Sequence, residues 1–98
     1  MLIGRFDYVF VSDAQADADI TASFNTGLQA AAQQLARDQS FADSTYTVTS
    51  LNSVYKQFVL EETLRFNADV AFASGTNIKI TFAVGDQDGL LGFNYKIV

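Results

Sequence analysis

The most regular pattern lies in the last third of the chain, where apolar residues occupy every second position of three segments. These segments are residues 64–72, 77–84 and 91–97. Alternation with a period of two is typical of β-strands with one buried and one exposed face. Ser74-Gly75 and the stretch 85–89 separate the segments, and both are typical of turns. We therefore predict an antiparallel meander here.

A different period marks the stretch before residue 38. Apolar residues recur there at steps of three and four, which predicts an amphipathic helix from about residue 13–18 to Arg37 or Asp38. The stripe consists of Ile20, Phe24, Leu28, Ala31 and Leu35. Ser12 and Gln15 fit a capping box at its start. Gly27 lies beside the stripe and costs about 1 kcal/mol in a helix, so we expect close packing on the sheet there.

Three further segments are β-rich. Residues 2–11 alternate and predict a first strand, and residues 45–51 predict another. Residues 54–60 fit either a strand or a helical turn, and their β-rich composition favours the strand. We predict one α+β domain over residues 1–98, in the order β-α-β-β-β-β. One long amphipathic helix packs on a mostly antiparallel sheet of four or five strands.

Several apolar residues remain unpartnered in this arrangement. In the first strand, Tyr8 and Phe10 are expected to face the helix, which leaves Val9 and Val11 on the opposite face. Contiguous exposed apolar residues usually mark an interface, and an apolar last strand is a sheet edge that invites pairing with another chain. The candidate interface residues are Val9, Val11, Phe41, Tyr55, Val59 and Ile97.

The composition excludes several classes of function. The chain has 6 basic and 11 acidic residues, a net charge of −5, and its basic residues are scattered. We therefore expect no binding to nucleic acid or to an anionic membrane surface. There is no Cys and no His, which removes thiolate chemistry and the commonest general base and metal ligand. No apolar run is long enough to span a membrane or serve as a signal peptide.

The remaining candidates for chemistry have simple structural explanations. Residues 86–89 are faintly similar to a calcium loop but lack its later ligands, so we expect a hairpin turn. The carboxylates of Asp13, Asp17 and Asp19 are expected to cap the helix and stabilise its dipole. Glu61 and Glu62 are neighbours that a strand would direct to opposite faces. We predict no catalytic residues, no cofactor and no metal site.

Aromatic residues offer one further possibility. They could line a ligand pocket between helix and sheet, although a chain of 98 residues also needs such rings simply to form a core. The set comprises Phe6, Tyr8, Phe10, Phe66, Phe72, Phe82, Phe93 and Tyr95.

The order of elements resembles the cystatin fold, in which an antiparallel sheet wraps one helix. Cystatins inhibit papain-like proteases through an N-terminal Gly, a Q-x-V-x-G hairpin and a Pro-Trp hairpin. Gly4 is suitably placed and Gln57-Phe58-Val59 begins the second motif, but Glu61 stands in place of its Gly, and the chain has no Pro or Trp. A lesser resemblance is to the shell-forming dodecins, whose flavin-stacking Trp is missing here.

These observations favour a non-enzymatic structural protein. Ser, Thr, Asn and Gln total 27 residues, against 17 charged residues (6 basic and 11 acidic). Uncharged polar surface costs less to desolvate against a neighbour. We expect a homo-oligomer or a subunit of a larger particle such as a phage virion, located in the virion or the host cytoplasm. The alternative is a cystatin-like module that binds a peptide or a small apolar ligand.

Overall fold

The computed structural model describes residues 7–40, 42, 45–58, 62–85 and 89–98. It contains one five-stranded antiparallel sheet whose neighbours follow chain order, with one long helix packed against it. The elements are β1 (Asp7–Val9), α1 (Val11–Ala16), α2 (Ala18–Asp38), β2 (Tyr46–Phe58), β3 (Glu62–Phe72), β4 (Asn77–Val84) and β5 (Leu90–Ile97). The predicted α+β class is confirmed. Neither described helix combines the length and the apolar character needed to cross a membrane.

The start of the helical region differs from the predicted capping box. The backbone leaves helical geometry at Asp17 (φ −92°, ψ 116°), which divides the region into α1 and α2. Asp17 is the true N-cap of α2, because its Oδ1 accepts hydrogen bonds from the backbone N–H groups of Asp19 (2.9 Å) and Ile20 (3.1 Å). Ser12 is instead already inside α1, whose N-cap, Phe10, makes no side-chain capping bond. The capping-box prediction was therefore wrong.

The apolar stripe of α2 packs on β3 and β4, as predicted. Phe24 lies against Phe66 and Phe82, with ring centroids 5.2 and 5.6 Å apart, and Phe66 stacks on Phe82 at 5.2 Å. Every second residue of β3 from Leu64 and of β4 from Ile78 is buried beneath the helix. Burial of these large side chains supplies most of the favourable free energy of folding.

Gly27 marks the closest approach of α2 to the sheet. A Cβ atom at this position would overlap the Cγ2 atom of Val84 and would lie 3.0 and 3.2 Å from ring atoms of Phe82. The missing side chain lets the helix backbone approach β4, which explains why a residue unfavourable to helices stands inside this one.

The described parts of two predicted strands, 45–51 and 54–60, belong to one strand, and residues 59 and 60 lie outside the described part. β2 runs for 13 residues, and its pairing with β3 shifts register between Val48 and Ser50 and between Leu51 and Ser53. Each shift is a bulge, in which an extra residue lets the next apolar side chain return to the helix side. Val48, Leu51 and Val54 are thus spaced by three and still share one face.

The two faces of β1 are the reverse of those predicted. Val9 lies opposite Val54, which is fully buried, and Val9 packs against the core. Tyr8 lies opposite Tyr55 on the open face and is 52% exposed. The register with β2 decides this, because a shift of one residue exchanges the faces of a strand. β1 ends at Val9, earlier than predicted, because the chain turns into α1 at Val11. Residues 2–6 of the predicted strand lie outside the described part.

The meander of β3, β4 and β5 is confirmed, and residues 86–88 of its second turn lie outside the described part. Gly75 adopts a left-handed φ of 98° between β3 and β4, and the N–H of Gly85 donates to the carbonyl of Gly89 (2.9 Å) between β4 and β5. A register shift near Val84 places Leu91 outside the regular pairing, and Leu91 is 61% exposed. Phe93 and Tyr95 are half-buried beside the core.

Candidate functional site

The long open edge of the sheet is the first feature that suggests an interaction. In the sheet formed by the described residues, β5 lies last in the strand order and has β4 as its single neighbour. It is 8 residues long, whereas β1 at the opposite edge has 3 described residues. A sheet edge presents a row of backbone donors and acceptors to which another strand can pair.

The direction of the backbone groups along β5 follows from one hydrogen bond. The N–H of Val98 donates to the carbonyl oxygen of Asn77 at 3.0 Å. Opposed residues in an antiparallel ladder alternate between pairs that exchange hydrogen bonds and pairs that do not. The residues that direct their backbone groups towards β4 are therefore Asn94, Lys96 and Val98. The backbone N–H and C=O groups of Phe93, Tyr95 and Ile97 point away from β4.

Apolar side chains lie exposed at the end of this edge. Ile97 is 55% exposed and Val98 is 67% exposed. Ile97 lies opposite the buried Ile78 and so projects on the helix side, at the border of the core. Lys96 is exposed on the open face and is the single charged residue of the strand. The edge therefore combines backbone hydrogen-bonding groups with apolar side chains at its border.

A second exposed apolar feature lies at the β1 side of the open face. Tyr8 contacts Tyr55 and Phe10 edge-to-face, with centroid distances of 5.6 Å in both pairs. Phe10 is 66% exposed. Edge-to-face packing among these rings covers part of their surface and leaves an aromatic patch that a partner could cover.

The rest of the open face carries a ladder of hydrogen-bonded polar side chains. Ser50 donates to Asn52 (2.8 Å), Asn52 donates to Asn67 (3.0 Å), and Asn67 donates to Thr81 (2.7 Å). These side chains link β2, β3 and β4. These hydrogen bonds satisfy polar groups of neighbouring strands and order this part of the face, while the side chains remain partly accessible to water.

A groove of about 300 Å³ lies between the two helices and the bulged part of β2. Phe24 and Phe66 contribute to its wall, together with Val48 and Leu51, and no charged side chain lines it. Its size is at the lower end of the range of small-molecule sites, about 300–1,000 Å³. The residues of β2 that line the groove lie at its two register shifts.

The four predicted interface residues that the structure describes lie in different parts of the molecule. Val9 packs against the core, and Val11 is half-buried in the first turn of α1. Tyr55 belongs to the aromatic patch on the open face, and Ile97 lies at the β5 edge. Phe41 and Val59 lie outside the described residues.

The acidic candidates serve local structure where the structure describes them. Asp17 caps α2, and Asp13 and Asp19 lie in the first turns of the two helices. The Glu62 carboxylate lies 3.5 Å from the Lys56 ammonium, whereas Glu61 and residues 86–88 are outside the described part. No group of three potential metal ligands comes together within the described residues.

Two features escaped prediction from the sequence. The Asn67 network depends on the register of three strands, and polar residues such as Asn52 and Asn67 are far apart in the chain. The groove lies where β2 carries two bulges. The spacing of three between Val48, Leu51 and Val54 was the available signal for them.

Comparison with known proteins assigns no family: no family model, no curated protein and no solved structure matches the chain.

Proposed function

We propose that the protein is a non-enzymatic structural subunit that assembles with further copies of itself, as a homo-oligomer or within a larger particle such as a phage virion. The observation that carries this proposal is the open edge of β5, a full-length strand with exposed apolar side chains at its end. A long apolar edge in a monomer is exposed to uncontrolled association. Pairing with a second copy would use that edge and cover Ile97.

The character of the open face supports the same proposal. Its side chains are mainly uncharged, and the Asn67 ladder keeps them ordered. An ordered, uncharged polar surface loses little hydration energy when it meets a neighbour, and its rotamers are already restricted. The surface is therefore compatible with close packing of subunits at more than the edge.

Molar mass in solution tests this proposal. Light scattering across a dilution series should give a multiple of the 10.7 kDa chain mass. Ile97→Pro removes an N–H that points away from β4 and places a ring in the path of a pairing strand. This variant should shift the mass towards the monomer, whereas the matched control Ile97→Val should not.

The molar masses of the wild type and the variant test assembly and the role of the β5 edge separately. A wild-type chain that is monomeric at every concentration would overturn the assembly proposal. A multimer that Ile97→Pro leaves intact would preserve assembly but exclude the β5 edge as its main contact. If the circular dichroism spectrum of the variant equals that of the wild type, the lower molar mass does not result from unfolding.

The groove favours a second candidate function, the binding of a small uncharged ligand. Apolar and uncharged polar side chains line it, including the amides of Gln15 and Asn25, and the absence of charge among its lining residues disfavours an ionic ligand. Aromatic rings would supply dispersion contact and the amides would orient the ligand.

Nuclear magnetic resonance titration with indole, as a neutral aromatic probe, tests this second function. Amide shifts should concentrate at Thr21, Thr49 and Leu51, which line the groove. Thr21→Arg should abolish them by filling the groove, whereas Thr26→Arg, on an exposed position of the same helix, should not. Shifts that are absent or scattered over the surface would exclude the groove as a binding site.

A further inference from the structure

The outward-pointing backbone groups of β5 determine how a second copy can pair with it. These groups belong to Phe93, Tyr95 and Ile97, because Val98 hydrogen-bonds to Asn77 and the ladder alternates from there. Two identical strands related by a twofold axis pair antiparallel. In such a pair, every hydrogen-bonded position must bring one outward-pointing residue opposite another.

One register satisfies all three residues at once. We infer that two copies pair along β5 about a twofold axis at Tyr95, so that Phe93 lies opposite Ile97 of the partner subunit and the two sheets become one sheet of ten strands. This inference rests on the proposed assembly function and specifies which residues form the contact between two subunits. If the register between the two β5 strands is shifted by two residues, either Phe93 or Ile97 no longer lies opposite one of the three outward-pointing residues. If it is shifted by one residue, outward-pointing backbone groups of one strand lie opposite inward-pointing groups of the other.

The side chains agree with this register on both faces. On the helix side, Ile97 is 55% exposed in the single chain and would pack against the ring of the partner's Phe93. Aromatic and β-branched residues are favourable cross-strand neighbours. On the open face, Lys96 would lie opposite the partner's Asn94, so the one cation of the strand would not face its own copy. None of the described residues of β5 has an acidic side chain that would oppose a second copy.

The absence of cysteine allows a direct test of the register. Asn94 and Lys96 are exposed on the open face, so Asn94→Cys and Lys96→Cys should leave the fold intact. In the inferred register they form a non-hydrogen-bonded pair with Cα atoms about 4.5 Å apart, a separation that a disulfide spans. Two Asn94→Cys chains would instead place these residues about 7–8 Å apart, on the diagonal.

The experiment mixes the full-length Asn94→Cys and Lys96→Cys chains under mild oxidation and identifies the dimers by intact mass. The mixed dimer should exceed either homodimer by about tenfold, because only that pair meets disulfide geometry. Lys79→Cys, on the same face but one strand inward, serves as the control and should form no disulfide with Asn94→Cys above the background level.

Each other result overturns the inference in a different way. A dominant Asn94→Cys homodimer would move the axis to residue 94 and contradict the register. A multimer by light scattering without any disulfide would leave the assembly proposal standing and exclude pairing along β5. A monomer at every concentration, with no disulfide, would remove both.

Discussion

The helix-covered face and the open face of the sheet are formed by the same strands but are stabilised differently. Beneath α2, Phe66 and Phe82 stack and are almost fully buried. On the opposite side, Asn67 hydrogen-bonds to its neighbours while remaining partly exposed. Close-packed apolar burial contributes more free energy than exposed polar bonds. The covered face therefore supplies most of the stability of the fold, and the hydrogen-bonded polar face supplies less.

The largest expected effect comes from truncating the covered face. Ile80 is 1% exposed, and Ile80→Ala should lower the free energy of unfolding by about 2–5 kcal/mol because it leaves a cavity. Its neighbour Lys79 points to the open face, where its ammonium lies 3.9 Å from Oδ1 of the partly buried Asp69 in an ion pair without a hydrogen bond. Lys79→Ala should cost less than about 1 kcal/mol. Urea unfolding measures the free energy of unfolding of both variants. Equal losses for Ile80→Ala and Lys79→Ala would contradict the difference between the covered face and the open face.

Closing the gap between helix and sheet should have the next largest effect. Gly27→Ala gains about 1 kcal/mol of helix propensity, but its Cβ would overlap the side chain of Val84. We expect overpacking to lower the free energy of unfolding by about 1–3 kcal/mol in total. Gln29→Ala, at an exposed position of α2, should change stability by less than about 0.5 kcal/mol. Thermal unfolding compares the two, and a stabilised Gly27→Ala chain would show that α2 can move away from β4 at little cost.

A smaller effect is expected on the open face. Asn67→Ala removes two hydrogen bonds, to Asn52 and to Thr81, and leaves their partners partly solvated. We expect the free energy of unfolding to fall by about 1–2 kcal/mol. Asn94→Ala, an exposed position on the same face, should cost less than about 0.5 kcal/mol. Equal urea midpoints for the two variants would show that the ladder contributes nothing to stability.

The smallest effect concerns the border of the covered face at high pH. Desolvation raises the pKa of the Tyr46 phenol above its ordinary value near 10. The folded chain therefore keeps this proton longer than the unfolded chain, so the contribution of Tyr46 is present below pH 10 and is lost as pH rises through the folded pKa. Tyr46→Phe should weaken the decline of stability above pH 10. Urea midpoints at pH 9 and above test this, and identical slopes would contradict it.

Residues whose structure depends on local pattern could be predicted from the sequence. The alternation in β3 and β4 correctly separated Phe66 and Ile80 from Asn67 and Lys79. The stripe of α2 was equally clear, and Gly27 correctly indicated a close approach. These predictions succeed because the period of each element places side chains on one face without reference to other elements.

The features that carry the proposals were harder to predict. Ile97 was identified as an edge residue, because an apolar final strand is recognisable. Val9 was assigned to the wrong face, because the alternation in β1 does not state which set is buried. The groove at Val48 and Leu51 was missed, because a bulge makes two strand segments look separate.

The sequence by itself determined the periods of the elements, and with them the helix, the meander and most of the core. The tertiary structure decided the register of β1, the continuity of β2, the ladder at Asn67 and the position of β5 at the sheet edge. The reason is physical. A period is a property of neighbouring residues, whereas register is chosen by which of several pairings buries the most apolar surface and satisfies the most hydrogen bonds across distant segments.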